Sequence, residues 1–363
     1  MAWWYVCQPP LGMRASNVRI VVAMSGGVDS SVVAGLMARE GHEVIGVTLQ
    51  LYDHGAAVGR KGACCAGQDI HDAKRVADRL GIAHYVIDSE ARFKQSVISA
   101  FADSYADGQT PVPCIACNQH LKFGDLLDMA RDLGADALAT GHYVQRINGP
   151  AGAELHKAVD ETRDQSWFLF ATTQEQLEFC RFPLGSYASK AEVRAIAADM
   201  QLTVAEKPDS QDICFVPSGS YDKIVESYRP DALTAGDVVS EAGEFLGNHT
   251  GIARYTIGQA KRLPDKAAHM VVKAIEPGTR RIIVGPRGAH SRTVKLRDVN
   301  WLTTPSHMHA NVKLRARDGL RPARISPDGA GAVIELDEPA LAAPGQAAVF
   351  YQGSRILGGG FIV

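Results

Sequence analysis

Three groups of residues in this 363-residue chain have the types and spacing to do chemistry. The first is Ser25-Gly26-Gly27-Val28-Asp29-Ser30, between a β-branched run (Val18 to Val22) and apolar residues at helical spacing (Val32, Val33, Leu36, Met37). Glycines let backbone N–H groups turn inward, Ser25, Ser30 and Ser31 add hydroxyl donors, and a helix N-terminus carries partial positive charge. The stretch reads as strand, tight loop and helix, and the loop as an anion cradle. It lacks both the Gly-Lys-[Ser/Thr] ending of a Walker loop and the Gly-x-Gly-x-x-Gly fingerprint. The second group is thiols: Cys114-x-x-Cys117, and Cys214 far downstream. Pro111 and Pro113 keep 108–118 extended, so a helix is expected from about Asn118 to Gly134. That puts Cys117 at a helix N-terminus, where the dipole and free N–H groups lower a thiol pKa. The Cys-x-x-Cys is a redox pair or half of a metal site, and no second such pair exists to close a structural zinc site. On local pattern alone Cys214 reads as a buried core thiol in a short strand, and Cys64-Cys65 as structural or incidental. The third group is Gly141-His142-Tyr143, ending the short strand Ala137 to Thr140. Gly141 permits close approach of a nucleotide, and His142 is either a satisfied structural histidine or a site residue.

These groups need a scaffold. Strand-like runs at 18–22, 43–51, 84–87 and 137–140 alternate with helical patterns at 32–41, 70–80 and 93–105, which predicts a parallel sheet with helices on both faces. Ligands of such sheets sit beyond the carboxyl ends of the strands, so Leu49 and Asp88 should approach the nucleotide. After Val216 the alternation fades into short β-type segments with Gly/Pro turns, predicting a small β-module at 216–285 and a β-barrel-like one at 286–363. Residues 1–17 read as a flexible arm with neither the basic start nor the apolar core of a signal peptide. The composition, 46% hydrophobic and 21% charged, is that of a globular protein, without an apolar run long enough to span a membrane. Seven cysteines, an odd number, point to a reducing compartment and a cytoplasmic location. Of the net charge of −2, the segment 286–363 carries +4 (ten Lys/Arg against six Asp/Glu), which allows a polyanion partner there.

The loop Ser25 to Ser30 resembles the Ser-Gly-Gly-x-Asp-Ser loop of the ATP pyrophosphatases, which bind the pyrophosphate of ATP and transfer AMP to a substrate oxygen. Other motifs narrow the resemblance: Cys117-Asn118 with Lys122-Phe123, Ala139-Thr-Gly-His-Tyr143, Asp164-Gln165-Ser166, Asp209-Ser-x-x-Ile-Cys214-Phe215, Tyr255-Thr-Ile-Gly-Gln259, Pro344-Gly-Gln346 and Leu357-Gly-Gly-Gly360. Together they resemble the tRNA-specific 2-thiouridylases over nearly the whole chain from Val18. The resemblance implies an α/β fold: a parallel-sheet, adenine nucleotide alpha hydrolase-like catalytic domain (18–215), a small β-rich central domain (216–285) and a C-terminal β-barrel-like, RNA-contacting domain (286–363). It implies ATP-dependent replacement of the C2 oxygen of the wobble uridine by sulfur. ATP would meet Ala23, Met24, Ser25, Gly26, Gly27, Val28, Asp29 and Ser30, with Leu49 and Gly141, and Asp29 would help place magnesium. Cys214 would receive sulfur as a persulfide and Cys117 would attack to release or deliver it. Val112, Pro113, Cys114, Arg163, Asp164 and Gln165 would meet the base, while His142, Arg315 and Gln346 contact the RNA. The implied partners are the tRNA anticodon stem-loop and a sulfur-relay protein fed by a cysteine desulfurase, with no membrane.

The chain departs from the family pattern in three places. Cys114 stands where better-known members carry Asp, Ala316 where a tyrosine often follows the arginine, and Gln259-Ala-Lys-Arg-Leu263 where Gln-Arg-Lys-Gly-Leu is usual. Cys114, Cys117 and Cys214 resemble the three-thiolate pattern with which related tRNA thiolases hold a four-iron four-sulfur cluster, so a cluster-dependent route is the alternative mechanism. A nucleotide-gated RNA-binding or sulfur-carrier protein without catalysis is the non-enzymatic alternative, disfavoured by the complete loop and the paired cysteines.

Overall fold

The computed structural model describes residues 17–52, 65–209, 213–216, 221–288 and 291–363. The expected N-terminal arm, Cys64 and the side chain of Cys65 lie outside these residues.

The expected parallel domain is present. Strands β1 (Arg19–Ala23), β2 (Glu43–Gln50), β3 (Ala83–Asp88) and β4 (Ala137–Ala139) are followed by a hairpin, β5 (Val144–Gly149) and β6 (Gly152–Lys157), and by the two-residue β7 (Cys180–Arg181). The sheet runs β3-β2-β1-β4-β7 with every pair parallel. Side chains alternate across a strand, so a strand covered on both faces must be apolar throughout. Ile20 and Val22 accordingly pack with α1 (Val28–Arg39) and α2 (Cys65–Leu80), while Val21 packs with Leu126, Leu127 and Ala130 on the opposite face. Strand β7 is too short to carry a periodic signal in the sequence.

Residues 113–132 correct the expectation around the cysteines. The helix starts at Pro113, not Asn118, because proline's fixed φ suits the first helical position, where no N–H is needed. It continues as a π-helical stretch, Cys117–Asp125, before returning to α-helix at Leu126–Asp132. Cys117 therefore lies a full turn inside the helix, its own N–H already bonded to the carbonyls of Cys114 and Pro113. Cys214 corrects a second expectation: it sits in a turn rather than a strand and is exposed. Its neighbour Phe215 provides the buried anchor, edge-on to Phe93 and Phe101 at 5.6 and 5.4 Å.

The helix Asp222–Tyr228 leads into β8 (Gly236–Ser240), β9 (Phe245–His249), β10 (Val271–Glu276) and β11 (Arg281–Gly285), a sheet of order β10-β11-β8-β9. Its Val238, Val272 and Ile282 share a core with Phe93, Phe101, Cys117 and Phe215. The C-terminal strands are β12 (Ser291–Trp301), β13 (Met308–Lys313), β14 (Arg321–Asp328), β15 (Gly331–Ala340), β16 (Ala347–Gln352) and β17 (Arg355–Ile362). They run β12-β15-β14-β13-β16-β17, and β17 pairs back to β12, closing a six-stranded antiparallel barrel without free edges. The hairpin β5–β6 reaches across from the parallel domain and joins β17 through His156 and Arg355. A Cβ on Gly359 of β17 would lie 2.8 Å from the Phe170 ring, so the glycine run Gly358 to Gly360 lets the barrel seat against the parallel domain. No helix among the described residues is long and apolar enough to cross a membrane.

Candidate active site

The loop after β1 behaves as its composition requires. Gly26 has φ +74°, and a Cβ there would lie 2.1 Å from the Asp69 carbonyl oxygen, so only glycine lets α2 close over the loop. The Ser25 N–H donates to Ser30 Oγ at 3.1 Å, and the Ser25 and Ser30 hydroxyls are 3.2 Å apart. Gly27 caps α1 without a side-chain acceptor, and the first backbone N–H to return to the loop is that of Ser31, to Gly27 O at 3.3 Å. The preceding N–H groups of Val28, Asp29 and Ser30 are thus the orphan donors of a helix N-terminus, available to an anion. Met24 is buried, its carbonyl accepting from Thr48 Oγ1 at 2.7 Å, while Ala23 and Leu49 are half-buried at the ends of β1 and β2.

Two lysines that sequence reasoning missed fix this loop. Lys207 donates to Gly26 O (2.9 Å), Asp69 Oδ1 (2.7 Å) and Asp72 Oδ2 (2.6 Å). Burial would raise the Asp72 carboxyl, but the hydrogen bond from Lys207 leads the opposing effects and holds it below its ordinary value. Lys190, buried at the start of α3 (Lys190–Asp199), donates to both oxygens of Asp29 at 2.6 Å and pairs with Asp209 at 3.2 Å. The Tyr143 hydroxyl also donates to Asp29, at 2.6 Å. Burial likewise works to raise Asp209, yet Lys190 and then Arg163 outweigh it and hold that carboxyl down. Ser189 caps α3, accepting from the Glu192 N–H at 3.4 Å. The signal for Lys190 was its place: a cation in a helix's first turn opposes the dipole, so an external anion must compensate it.

Gly141-His142-Tyr143 joins this loop to the thiols. A Cβ on Gly141 would lie 2.9 Å from Ser30 N and 3.0 Å from Asp29 Cβ, so this glycine admits the loop itself. Next to it, His142 Nε2 lies 3.4 Å from Lys122 Nζ, and its Nδ1 lies 2.8 Å from Thr140 Oγ1. Burial, reinforced by Lys122, holds the His142 pKa well below its ordinary value, so the ring is neutral. Lys122 projects from the same helix as Cys114 and Cys117 and acts electrostatically on both, and on Cys214. Cys117 is buried, whereas Cys114 and Cys214 are exposed to solvent in a recess dense enough to desolvate them. Burial pushes the Cys117 thiol up and Lys122 only partly pulls it back, which corrects the expectation of a lowered pKa: the helix N-terminus is a turn away. Cys214 is pushed up to about 12, mainly by burial, then by Cys117 and Cys114, with Lys122 and the Tyr52 hydroxyl opposing.

The expected base and RNA residues occupy more varied positions. Val112 is half-buried and Pro113 buried beside Cys114. Arg163 Nη1 donates to Asp209 Oδ2 at 2.7 Å. Asp164 accepts from the Ala158 and Ser166 N–H groups and the Ser166 hydroxyl, and Gln165 Oε1 accepts from the Tyr143 N–H at 2.8 Å, so both shape their loop. The barrel holds the same loop: Asn300 Nδ2 donates to Phe170 O and Thr172 O, and the Ser166 and Tyr351 hydroxyls are 3.1 Å apart. Gln346 Nε2 donates to Thr110 O at 2.9 Å, tying the barrel to the segment before Pro113. Arg315 is half-buried, with no carboxylate within ion-pair distance among the described residues.

Both Asp29 oxygens accept from Lys190, the contact that a magnesium ion at Asp29 would share or displace. Among the described residues no three His, Cys, Asp or Glu side chains are grouped as ligands of a single metal ion, while Cys114 and Cys117 both act electrostatically on Cys214.

Comparison with known proteins places this geometry in a family. Family profiles match three consecutive parts: a tRNA methyl transferase HUP domain (residues 18–218), a tRNA methyl transferase PRC-barrel domain (222–286) and an aminomethyltransferase beta-barrel domain (291–362). The tRNA-specific 2-thiouridylase MnmA of Acidiphilium cryptum is 67% identical over 348 residues, covering 95% of this chain and 100% of its own. That of Gluconobacter oxydans is 59% identical over 357 residues, covering 95% and 99%. Among solved structures, a 4-thiouridine synthetase–RNA complex with bound ATP is 17% identical at a TM-score of 0.37, over 60% of this chain and 52% of that one, too remote to bear on the site.

Two outcomes follow from the geometry. Gly26→Ala, strained in φ and driven into Asp69, should weaken binding of an ATP analogue by at least about tenfold in calorimetry, with a smaller effect on the barrel's unfolding. His142 is depressed in the folded state, so below about pH 6.5 the unfolded chain binds a proton that the folded one does not. Stability measured by chemical denaturation should fall between pH 7.5 and 5.5, and His142→Gln should flatten that slope. An unchanged slope in the variant would remove His142 as a contributor.

Proposed function

The chain belongs to the tRNA-specific 2-thiouridylase family, and from that premise we propose that it uses ATP to replace the C2 oxygen of the tRNA wobble uridine with sulfur. One observation carries this reading. Three consecutive residues connect the anion cradle to the thiols: Gly141 and Tyr143 lie against Asp29, and His142 meets Lys122 of the cysteine helix. A nucleotide loop and a thiol cluster so joined suit a reaction with one activation and one sulfur delivery at the same base.

The C2 oxygen of uracil is a poor leaving group. Its attack on the α-phosphate of ATP makes it an adenylated oxygen that departs with AMP, while pyrophosphate leaves into the N–H groups of Gly26 to Ser30. The positive charge for that anion comes from the N-terminus of α1, while Lys190 offsets the charge of Asp29. No step here is routed through magnesium at Asp29, whose oxygens both accept from Lys190, or through an iron-sulfur cluster.

For sulfur delivery, Cys214 is the exposed thiol and fits the acceptor of a persulfide from a relay protein or cysteine desulfurase. Cys117, buried beside it, fits the attacking partner. The Cys117 thiolate attacks Cys214 Sγ, the bond from Sγ to the outer sulfur breaks, and that sulfur leaves as hydrosulfide with the electron pair. Hydrosulfide then adds at C2 and AMP departs. The Cys117–Cys214 disulfide left behind needs two electrons from an external dithiol before the next cycle.

The wobble base must leave its stack to reach this edge, as single-stranded anticodon loops allow. Val112 and Pro113 adjoin Cys114, and the Arg163 to Gln165 loop adjoins Asp209 and Tyr143; both segments suit contacts with the base. Arg315 suits a phosphate contact, whereas Gln346 and His142 act by positioning Thr110 and Lys122. The working domain division is 18–215, 216–285 and 286–363, and the substrate implies a cytoplasmic site of action.

The test is nucleoside analysis of cognate tRNA treated with ATP, a sulfur donor and each variant. Cys117→Ala and Cys214→Ala should each lower 2-thiouridine by at least about 100-fold. Cys114→Ala should retain most of it, since this route uses only two thiols; its loss would favour the cluster-dependent route. Full activity in either of the first two variants would contradict the roles of Cys117 as attacking thiolate and Cys214 as persulfide carrier.

A further inference from the structure

One charge in the thiol recess is left unused by this scheme. Lys190 has Asp29 and Asp209, and Lys207 has Asp69 and Asp72, but half-buried Lys122 has no carboxylate within ion-pair distance among the described residues. Its one polar contact among them is His142 Nε2, at 3.4 Å. Thr140 fixes that ring, since Nδ1–H can donate to Thr140 Oγ1 at 2.8 Å while Nε2 offers its lone pair to the ammonium. A neutral acceptor orients a cation without cancelling its charge, and a half-buried uncancelled cation favours an anion.

The helix aims that charge. Cys117 and Lys122 are five residues apart, a spacing that regular α-helix turns well away from a common face. From Cys117 to Asp125 the chain is π-helical, with bonds such as Leu126 N–H to Leu121 O reaching back five residues. The widened turn brings positions five apart toward one face, and π-turns of this kind recur where function needs a redirected side chain. Lys122 acts electrostatically on Cys114, Cys117 and Cys214 and touches the neutral His142, and Tyr52 is bonded to Cys214.

We infer that Lys122 is an anion seat that holds the negatively charged sulfur species of the transfer, the persulfide and the hydrosulfide released from it. The inference rests on the sulfur-transfer reading of Cys117 and Cys214. During Cys117 attack the negative charge moves from the attacking sulfur to the departing one, and a single ammonium acting on both cysteines stabilises it throughout. The seat suits small, polarisable monoanions, and its one polar protein contact among the described residues, His142, is neutral.

Charge-selective alkylation of the full-length protein tests this without RNA. Iodoacetate, an anion, and neutral iodoacetamide react with the same thiolate, so the ratio of their rates at Cys117 and Cys214 reports the local charge and cancels the thiolate fraction. That ratio, read by peptide mass spectrometry, should fall about tenfold in Lys122→Gln and be largely retained in Lys122→Arg. Lys122→Met serves if the glutamine variant loses the wild-type melting transition. With inorganic sulfide as donor, Lys122→Gln should raise the KM for sulfide about tenfold and change kcat much less. An unchanged alkylation ratio would overturn the seat by itself. Full 2-thiouridine formation in Cys117→Ala would instead remove the transfer reading, and the ratio would still say whether Lys122 gathers anions.

Discussion

Asp29 carries the carboxylate from which the rest of the site is hung. Both its oxygens lie 2.6 Å from the Lys190 ammonium, and one also accepts from the Tyr143 hydroxyl at 2.6 Å. Lys190 is buried, so loss of Asp29 would leave a largely desolvated cation with Asp209 alone, a defect of several kcal/mol on the order of other broken buried pairs. Through Lys190 and Asp209 the constraint extends to Arg163, and through Tyr143 it extends to His142 and the thiol recess. The cradle, the base-side loop and the cysteine helix therefore share one electrostatic frame.

The C-terminal barrel completes this frame from outside the parallel domain. Asn300, Lys313, Gln346 and Tyr351 hold the segments 166–172 and 108–112 chiefly by hydrogen bonds to backbone and hydroxyl groups. Such contacts fix where loops stand without specifying what they bind. The net positive charge of 286–363, and an Arg315 with no carboxylate in reach among the described residues, leave this module free to meet a polyanion while its barrel wall braces the site.

Much of this is legible in the residues. Uninterrupted β-branched runs separated by helical patterns announce a parallel sheet, because only a strand covered on both faces can be apolar throughout, and a glycine pair followed by hydroxyls announces the anion loop. The less legible features are those set by distant partners. Nothing local says that Lys190 reaches Asp29 or that Lys207 reaches Gly26, residues 161 and 181 positions away. Reading proline only as a helix breaker misplaces the helix start at Pro113, because proline also suits a first turn, and the pKa expected of Cys117 goes wrong with it. The π-helical register leaves no mark in composition at all, yet it decides which side chains face the cysteines.

At the centre of this chemistry, the cradle turns a uracil oxygen into a leaving group. The most direct measurement uses tRNA carrying oxygen-18 at C2 of the wobble uridine, with mass spectrometry of the products after a single turnover. Adenylation of that oxygen predicts one labelled oxygen in AMP and none in pyrophosphate or water. Label in water or pyrophosphate, with 2-thiouridine still formed, would contradict adenylation and the role of the loop with it.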